Sequence, residues 1–166
     1  MIRLLAATIA VAASIPTVAG GAATTGTAPC RTAGLVVWLD TQGNGAAGSS
    51  FYQLRLTNLS GHSCTLFGYP GVSAVDLTGH QLGRAASRNP AHHAHRVTLA
   101  NGATASATVQ IVEAGNFPPA ICRQVTAAGL RVYPPNQTAA KIVPFPFSAC
   151  SRVGPTYLSV QAVQSS

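Results

Sequence analysis

Thr104-Ala105-Ser106-Ala107-Thr108-Val109-Gln110-Ile111 alternates polar and apolar residues at every step. A period of two puts Ala105, Ala107, Val109 and Ile111 on one face of an extended chain and the hydroxyls and the amide on the other. That is a β-strand with one buried and one wet side. The same reading extends outward in both directions. Tyr52, Leu54 and Leu56 alternate with Gln53, Arg55 and Thr57, and Leu158, Val160 and Ala162 alternate with Ser159 and Gln161. Leu35 to Leu39 is a continuous apolar run containing Trp38. It reads as a strand buried on both sides, with Trp38 in the core. No stretch carries the period of an amphipathic helix.

Turn formers punctuate these runs. Tyr69-Pro70-Gly71 offers Pro and Gly in the order of a type II turn. Leu77-Thr78-Gly79-His80 and Ala100-Asn101-Gly102-Ala103 read as tight hairpins, the second with an Asn-Gly pair suited to type I′. Strands are expected at 34–40, 50–58, 72–77, 80–84, 95–100, 103–112, 129–133, 140–145 and 156–163. Short strands at this spacing predict an all-β fold, a two-sheet antiparallel β-sandwich of immunoglobulin-like architecture.

Four cysteines, Cys30, Cys64, Cys122 and Cys150, frame two of the predicted hairpins. Cys30 and Cys64 are centred on position 47, inside the Gly/Asn/Ser loop 41–50, and Cys122 and Cys150 on 136, inside the Pro134-Pro135-Asn136 turn. Residues equidistant from an antiparallel turn face each other. Of the three possible connectivities, this geometry favours Cys30–Cys64 with Cys122–Cys150.

The amino terminus explains why the thiols would be oxidised. Met1-Ile2-Arg3 carries a positive charge, Leu4 to Ile15 is almost wholly apolar, and Val18 to Ala23 supplies small residues for cleavage. This is the pattern of a secretory signal peptide, too short to span a bilayer. The expected organisation is a signal peptide at 1–22, a flexible tether at 23–29 and a single β-sandwich domain at 30–166. The exported chain would be secreted or wall-associated, with no membrane span after cleavage, in a compartment where disulfides persist. Asn58-Leu59-Ser60 and Asn136-Gln137-Thr138 match the glycosylation sequon, but both asparagines read first as turn residues.

Only 8% of residues are charged, and 10 Lys+Arg face 3 Asp+Glu. Most of the arginines therefore have no carboxylate available to pair with. The export signal argues against nucleic acid as the partner of this basic chain. An anionic cell-wall polymer, lipid head groups or another envelope protein fit an exported cation better, and low acid content as mere composition is the competing reading.

Between Leu54 and Val72 the chain reads Leu-Arg-Leu-Thr-Asn-Leu-Ser-Gly-His-Ser-Cys-Thr-Leu-Phe-Gly-Tyr-Pro-Gly-Val. This block resembles the signature of a family of secreted actinobacterial proteins known only as a domain of unknown function. Leu82-Gly83, Val97-Thr98-Leu99, Asn101-Gly102, Gly129-Leu130-Arg131-Val132 and Pro134-Pro135 follow in the family's order, so the resemblance covers roughly 30 to 163. It implies an extracytoplasmic β-sandwich, sometimes lipid-tethered, with no known enzyme activity and no catalytic residues to carry over. The family's frequent lipid-attachment cysteine is absent here.

Candidate chemistry is sparse. His92, His93 and His95 lie in an extended segment, and imidazoles two residues apart share a face that can reach one Zn²⁺ or Cu²⁺ ion. Arg88 and Arg96 beside them oppose a cation, and a solvated loop is the alternative. The three carboxylates, Asp40, Asp76 and Glu113, fall at strand ends, with nothing in their spacing to make a catalytic pair. No nucleophile-elbow motif occurs, and paired cysteines leave no free thiol. Tyr133, Arg131, Phe145 and Phe147, with neighbouring prolines, form an aromatic segment readable as a ligand surface or as core and edge packing. The sequence thus predicts a non-catalytic binding or structural module of the bacterial cell envelope, without a cofactor. A metal-binding module using His92, His93 and His95 is the alternative, and a hydrolytic enzyme comes third.

Overall fold

The computed structural model describes residues 26–166, and the chain there is built almost entirely of strands and turns. The strands are β1 (Leu35–Ala46), β2 (Ser49–Asn58), β3 (Cys64–Phe67), β4 (Gly71–Val75), β5 (Gln81–Leu82), β6 (Ser87–Asn89), β7 (Arg96–Leu99), β8 (Thr104–Val112), β9 (Gln124–Tyr133), β10 (Lys141–Cys150), β11 (Leu158–Gln161) and β12 (Gln164–Ser165). An α-helical turn, Pro119–Cys122, precedes β9, and two 3-10 turns lie at Thr32–Gly34 and Ala114–Asn116. The expected leader and the start of the tether lie outside the described residues. No described helix is long and apolar enough to cross a membrane.

One layer is the sheet β1-β2-β8-β11-β6, with β12 also on β8, and the other is β10-β9-β4-β5. A separate ribbon, β3-β7, closes one end. Pairing is antiparallel except between β11 and β6. The period-two patterns place Leu54 opposite Ala107 and Leu56 opposite Ala105 on the inner face. These residues join Val72, Leu130 and Val132 of the second layer in one continuous core. The all-β, doubly disulfide-linked sandwich expected from the alternation is the observed architecture.

Both disulfides have the expected partners, with S–S distances of 2.03 Å. The second closes the open end of the β9–β10 hairpin, where Ser151 N donates to Arg123 O and Arg152 N to Cys122 O, each at 3.1 Å. The first has a different cause. The β1–β2 ladder ends at Leu35 opposite Asn58, and Cys64 belongs to β3. Residues 28–30 run parallel to β3, with Cys30 N donating to Thr65 O and Thr65 N to Ala28 O, both at 2.9 Å.

Several local expectations need correction. Trp38 is not in the core. Leu35 and Leu39 point inward, while Val36 and Trp38 face outward at 46% and 45% exposure. The apolar run misled because β1 is an outer strand that carries apolar residues on both faces. Gly68, at φ +98°, takes the left-handed conformation assigned by sequence to Gly71. At Asn101-Gly102 only the glycine has positive φ, and the turn passes from the β3–β7 ribbon into the first sheet instead of closing a hairpin. The strands β3 and β6 were not expected at all.

Candidate functional site

A groove of about 480 Å³ opens where the β3–β4 connection meets the β9–β10 turn. Phe67 and Tyr69 flank Gly68, whose backbone is fixed by Val163 N donating to Gly68 O at 2.9 Å. A left-handed residue between two aromatic residues reverses their directions locally, and glycine adopts it without the Cβ penalty. Tyr133, the last residue of β9, pairs with Gly71 at the start of β4 and supplies a third ring.

The opposite wall is polar. Gln137 N donates to Pro134 O at 3.0 Å, and Asn136 sits in the left-handed region at φ +59°. From there the Asn136 Nδ2 amide donates to Phe67 O at 3.2 Å and ties the two loops together. Gln137 Oε1 accepts from Thr32 N at 3.3 Å. Arg88, exposed on β6, places its guanidinium carbon 5.5 Å from the centre of the Tyr69 ring, within cation–π range. None of the lining residues is acidic.

The aromatic segment expected as one surface is divided. Tyr133 lines the groove, but Phe145 packs edge-on against Tyr52, with centroids 4.8 Å apart, and Phe147 lies beside Phe145. Those two rings cover the core. Arg131 turns to the other end of β9, where its guanidinium donates to Gly79 O in the β4–β5 turn. Sequence reasoning missed Phe67, Gly68, Tyr69, Arg88, Asn136 and Gln137 as a group. The Phe67–Gly71 stretch was visible as a motif but was read as a turn alone. Its partners are distant in sequence, and no local pattern links them.

His92, His93 and His95 are all exposed. Among the described residues no group of three or more His, Cys, Asp or Glu is placed to hold a metal ion. His92 lies instead against the first sheet, beside Gln161 and Gln164. The carboxylates are on separate elements. Asp40 meets Arg55 at 3.4 Å on the first sheet. Asp76 caps the β4–β5 turn by accepting from Thr78 Oγ1 at 2.7 Å and His80 N at 2.8 Å. These bonds, led by the Thr78 hydroxyl, hold its carboxyl below the usual range. Glu113 follows β8, its N–H donating to Gly48 O at 2.9 Å.

A family model described as "Domain of unknown function (DUF4232)" matches residues 30–164. No curated protein and no solved structure matches the chain.

Proposed function

The chain belongs to the DUF4232 family, and from that premise we propose that it is an exported, non-catalytic binding module of the bacterial cell envelope. Its ligand is an anionic polymer, taken into the groove formed by Phe67, Tyr69, Arg88 and Tyr133. The observation that carries this reading is the groove itself. It combines three aromatic side chains with an arginine and has no acidic lining residue. Rings of Tyr and Phe give contact area at low entropic cost, and an unpaired guanidinium favours carboxylate or phosphate. The net charge of +7, or +6 without Arg3 of the expected leader (9 basic less 3 acidic residues), raises the local concentration of anions around the whole molecule. Two disulfides fit an oxidising compartment outside the cytoplasm.

The test is calorimetric titration of the purified protein with polygalacturonate and with a glycerol-phosphate polymer. Saturable binding of at least one is expected, weakened about tenfold by Arg88→Ala and by Tyr69→Ala. Arg123→Ala, at an exposed arginine outside the groove lining, should leave the affinity within about twofold. Equal losses for both arginines would show charge attraction without a site, and binding that vanishes at moderate salt for every variant would say the same.

A further inference from the structure

We propose that the outer face of the β1-β2-β8-β11 sheet is a second binding surface, one that takes a neutral polysaccharide chain. It is independent of the anion-binding groove. The face is built by cross-strand rows. Trp38 on β1 lies opposite Arg55 on β2, which lies opposite Ser106 on β8, which lies opposite Gln164 on β12. The next row runs from Asp40 to Gln53 to Thr108. Members of both rows line a polar cleft of about 300 Å³, Gln53, Ser106, Thr108 and Gln164 together with Gln161 and His92.

Trp38 is the only tryptophan in the chain and is nearly half exposed on an outward-facing position. An isolated exposed indole calls for little explanation. This one stands on the same face as an array of side-chain amides and hydroxyls. With strands about 4.8 Å apart, Trp38 and the Ser106 edge of the cleft are about 10 Å apart across the sheet. That separation suits a chain of sugar rings lying across the strands. A pyranose presents C–H groups to an aromatic ring on one side and hydroxyls at its rim. Amides and hydroxyls answer those hydroxyls because they both donate and accept. The Gln53 amide is already held by its Nε2 donating to Thr108 Oγ1 at 3.2 Å, so part of its ordering cost is met before a ligand arrives.

Charge selects the kind of chain. The molecule carries +7, yet the arginine on this face is balanced by Asp40 at 3.4 Å, and its Nη1 donates to Ser166 Oγ at 3.3 Å. The face therefore offers an anion little net attraction, unlike the groove with Arg88. Its large apolar side chains are few, the exposed Trp38 and Val36 and the partly buried Phe51, too few for the broad apolar centre of a stable protein interface. An uncharged, hydroxyl-rich ligand is what remains complementary.

Because the chain has a single tryptophan, its fluorescence reports on this face alone. The purified protein is titrated separately with glycogen, mannan, galactan and hydroxyethylcellulose. At least one should give a saturable blue shift of the emission. The affinity should fall about tenfold in Gln53→Ala and Gln161→Ala, which keep the reporter. In gels containing the same polysaccharide, Trp38→Ala should migrate without retardation, while Tyr69→Ala is retarded like the parent protein. The proposal is overturned if none of the four polysaccharides shifts the emission. It is equally overturned if the shift survives both glutamine variants, or if the emission moves with protein concentration alone, which would assign Trp38 to self-association. Loss of binding in Tyr69→Ala would place the sugar in the groove instead.

Discussion

The side chain of Asn58, fully buried at the end of β2, is used at both of its polar ends. Its Nδ2 donates to the carbonyl oxygens of His62 at 2.8 Å, Leu99 at 3.0 Å and Ala100 at 3.2 Å. Its Oδ1 accepts from Ser60 N at 3.1 Å and Ser60 Oγ at 2.7 Å. One amide thereby ties the first sheet to the segments that enter β3 and leave β7. The nitrogen of the Asn58-Leu59-Ser60 sequon is committed inside the fold, so sugar cannot be attached to it without unfolding the site. Replacing Asn58 with alanine strands buried carbonyls and the Ser60 amide, and each such group costs about 1–3 kcal/mol. Asn58→Ala is therefore expected to lower unfolding stability by about 3 kcal/mol, read from the urea midpoint at unchanged slope. A loss under about 1 kcal/mol would mean that water replaces the amide without penalty. The sequence marked Asn58 as a turn former, and its burial was illegible there. A polar residue beside serine and glycine reads as surface until the strands that cover it are known.

At the scale of elements, the β9–β10 hairpin shows how one glycine sets a close approach. The two strands slip register between Pro144 and Phe147, where the prolines interrupt the ladder on an outer strand. Gly129 sits opposite this irregularity. A Cβ there would collide with the Val143 carbonyl oxygen and come within 3.1 Å of both Phe145 N and Pro144 Cα. The obstacle is backbone, which yields less readily than a flexible side chain. Gly129→Ala should cost about 1–3 kcal/mol, with the loss concentrated in faster amide exchange of β10. Uniform acceleration across both sheets would argue against a local clash. The strands legible from alternation, β2, β8 and β11, owe that to one face in the core and one toward solvent. The short β3 is buried over Cys64, Thr65 and Leu66 and has no period to detect. The polar β6 joins β11 through a parallel backbone ladder, which leaves no mark on side-chain pattern. The cysteine symmetry argument found both pairs, although only the β9–β10 pair obeys the hairpin geometry behind it. The groove was less legible than the fold, because its walls come from residues 67–71, 88, 94 and 133–137 and meet only after the sheets assemble.

For the whole molecule, the scarcity of carboxylates shapes stability against pH. Acid unfolding acts mainly by protonating carboxylates that are bonded in the folded state. Here the chain has three acids. Asp76 has a lowered folded pKa, so its contribution is present above the ordinary carboxylate range and fades as pH falls through the folded value. It is a partly exposed turn residue whose field solvent screens, so this term is small. The alkaline side is governed by Tyr157. Its ring is completely buried, and its hydroxyl donates to Leu82 O at 2.9 Å, joining the segment before β11 to β5 in the opposite sheet. Burial pushes the phenol from 10.0 up to about 12. A raised folded pKa means that the stabilising term is intact below pH 10 and is lost as pH climbs toward 12. At 1.36 kcal/mol per unit, a shift of this size is worth about 2–3 kcal/mol. The expected profile is nearly flat from about pH 4 to 9 and then falls steeply between about pH 10 and 12, measured by urea unfolding at each pH. In Tyr157→Phe the neutral-pH stability should drop by about 1 kcal/mol for the lost hydrogen bond, and the alkaline fall should shrink. An unchanged alkaline limb in that variant would show that the limb comes from other groups and that the phenol linking the two sheets does not set the upper pH limit of the fold.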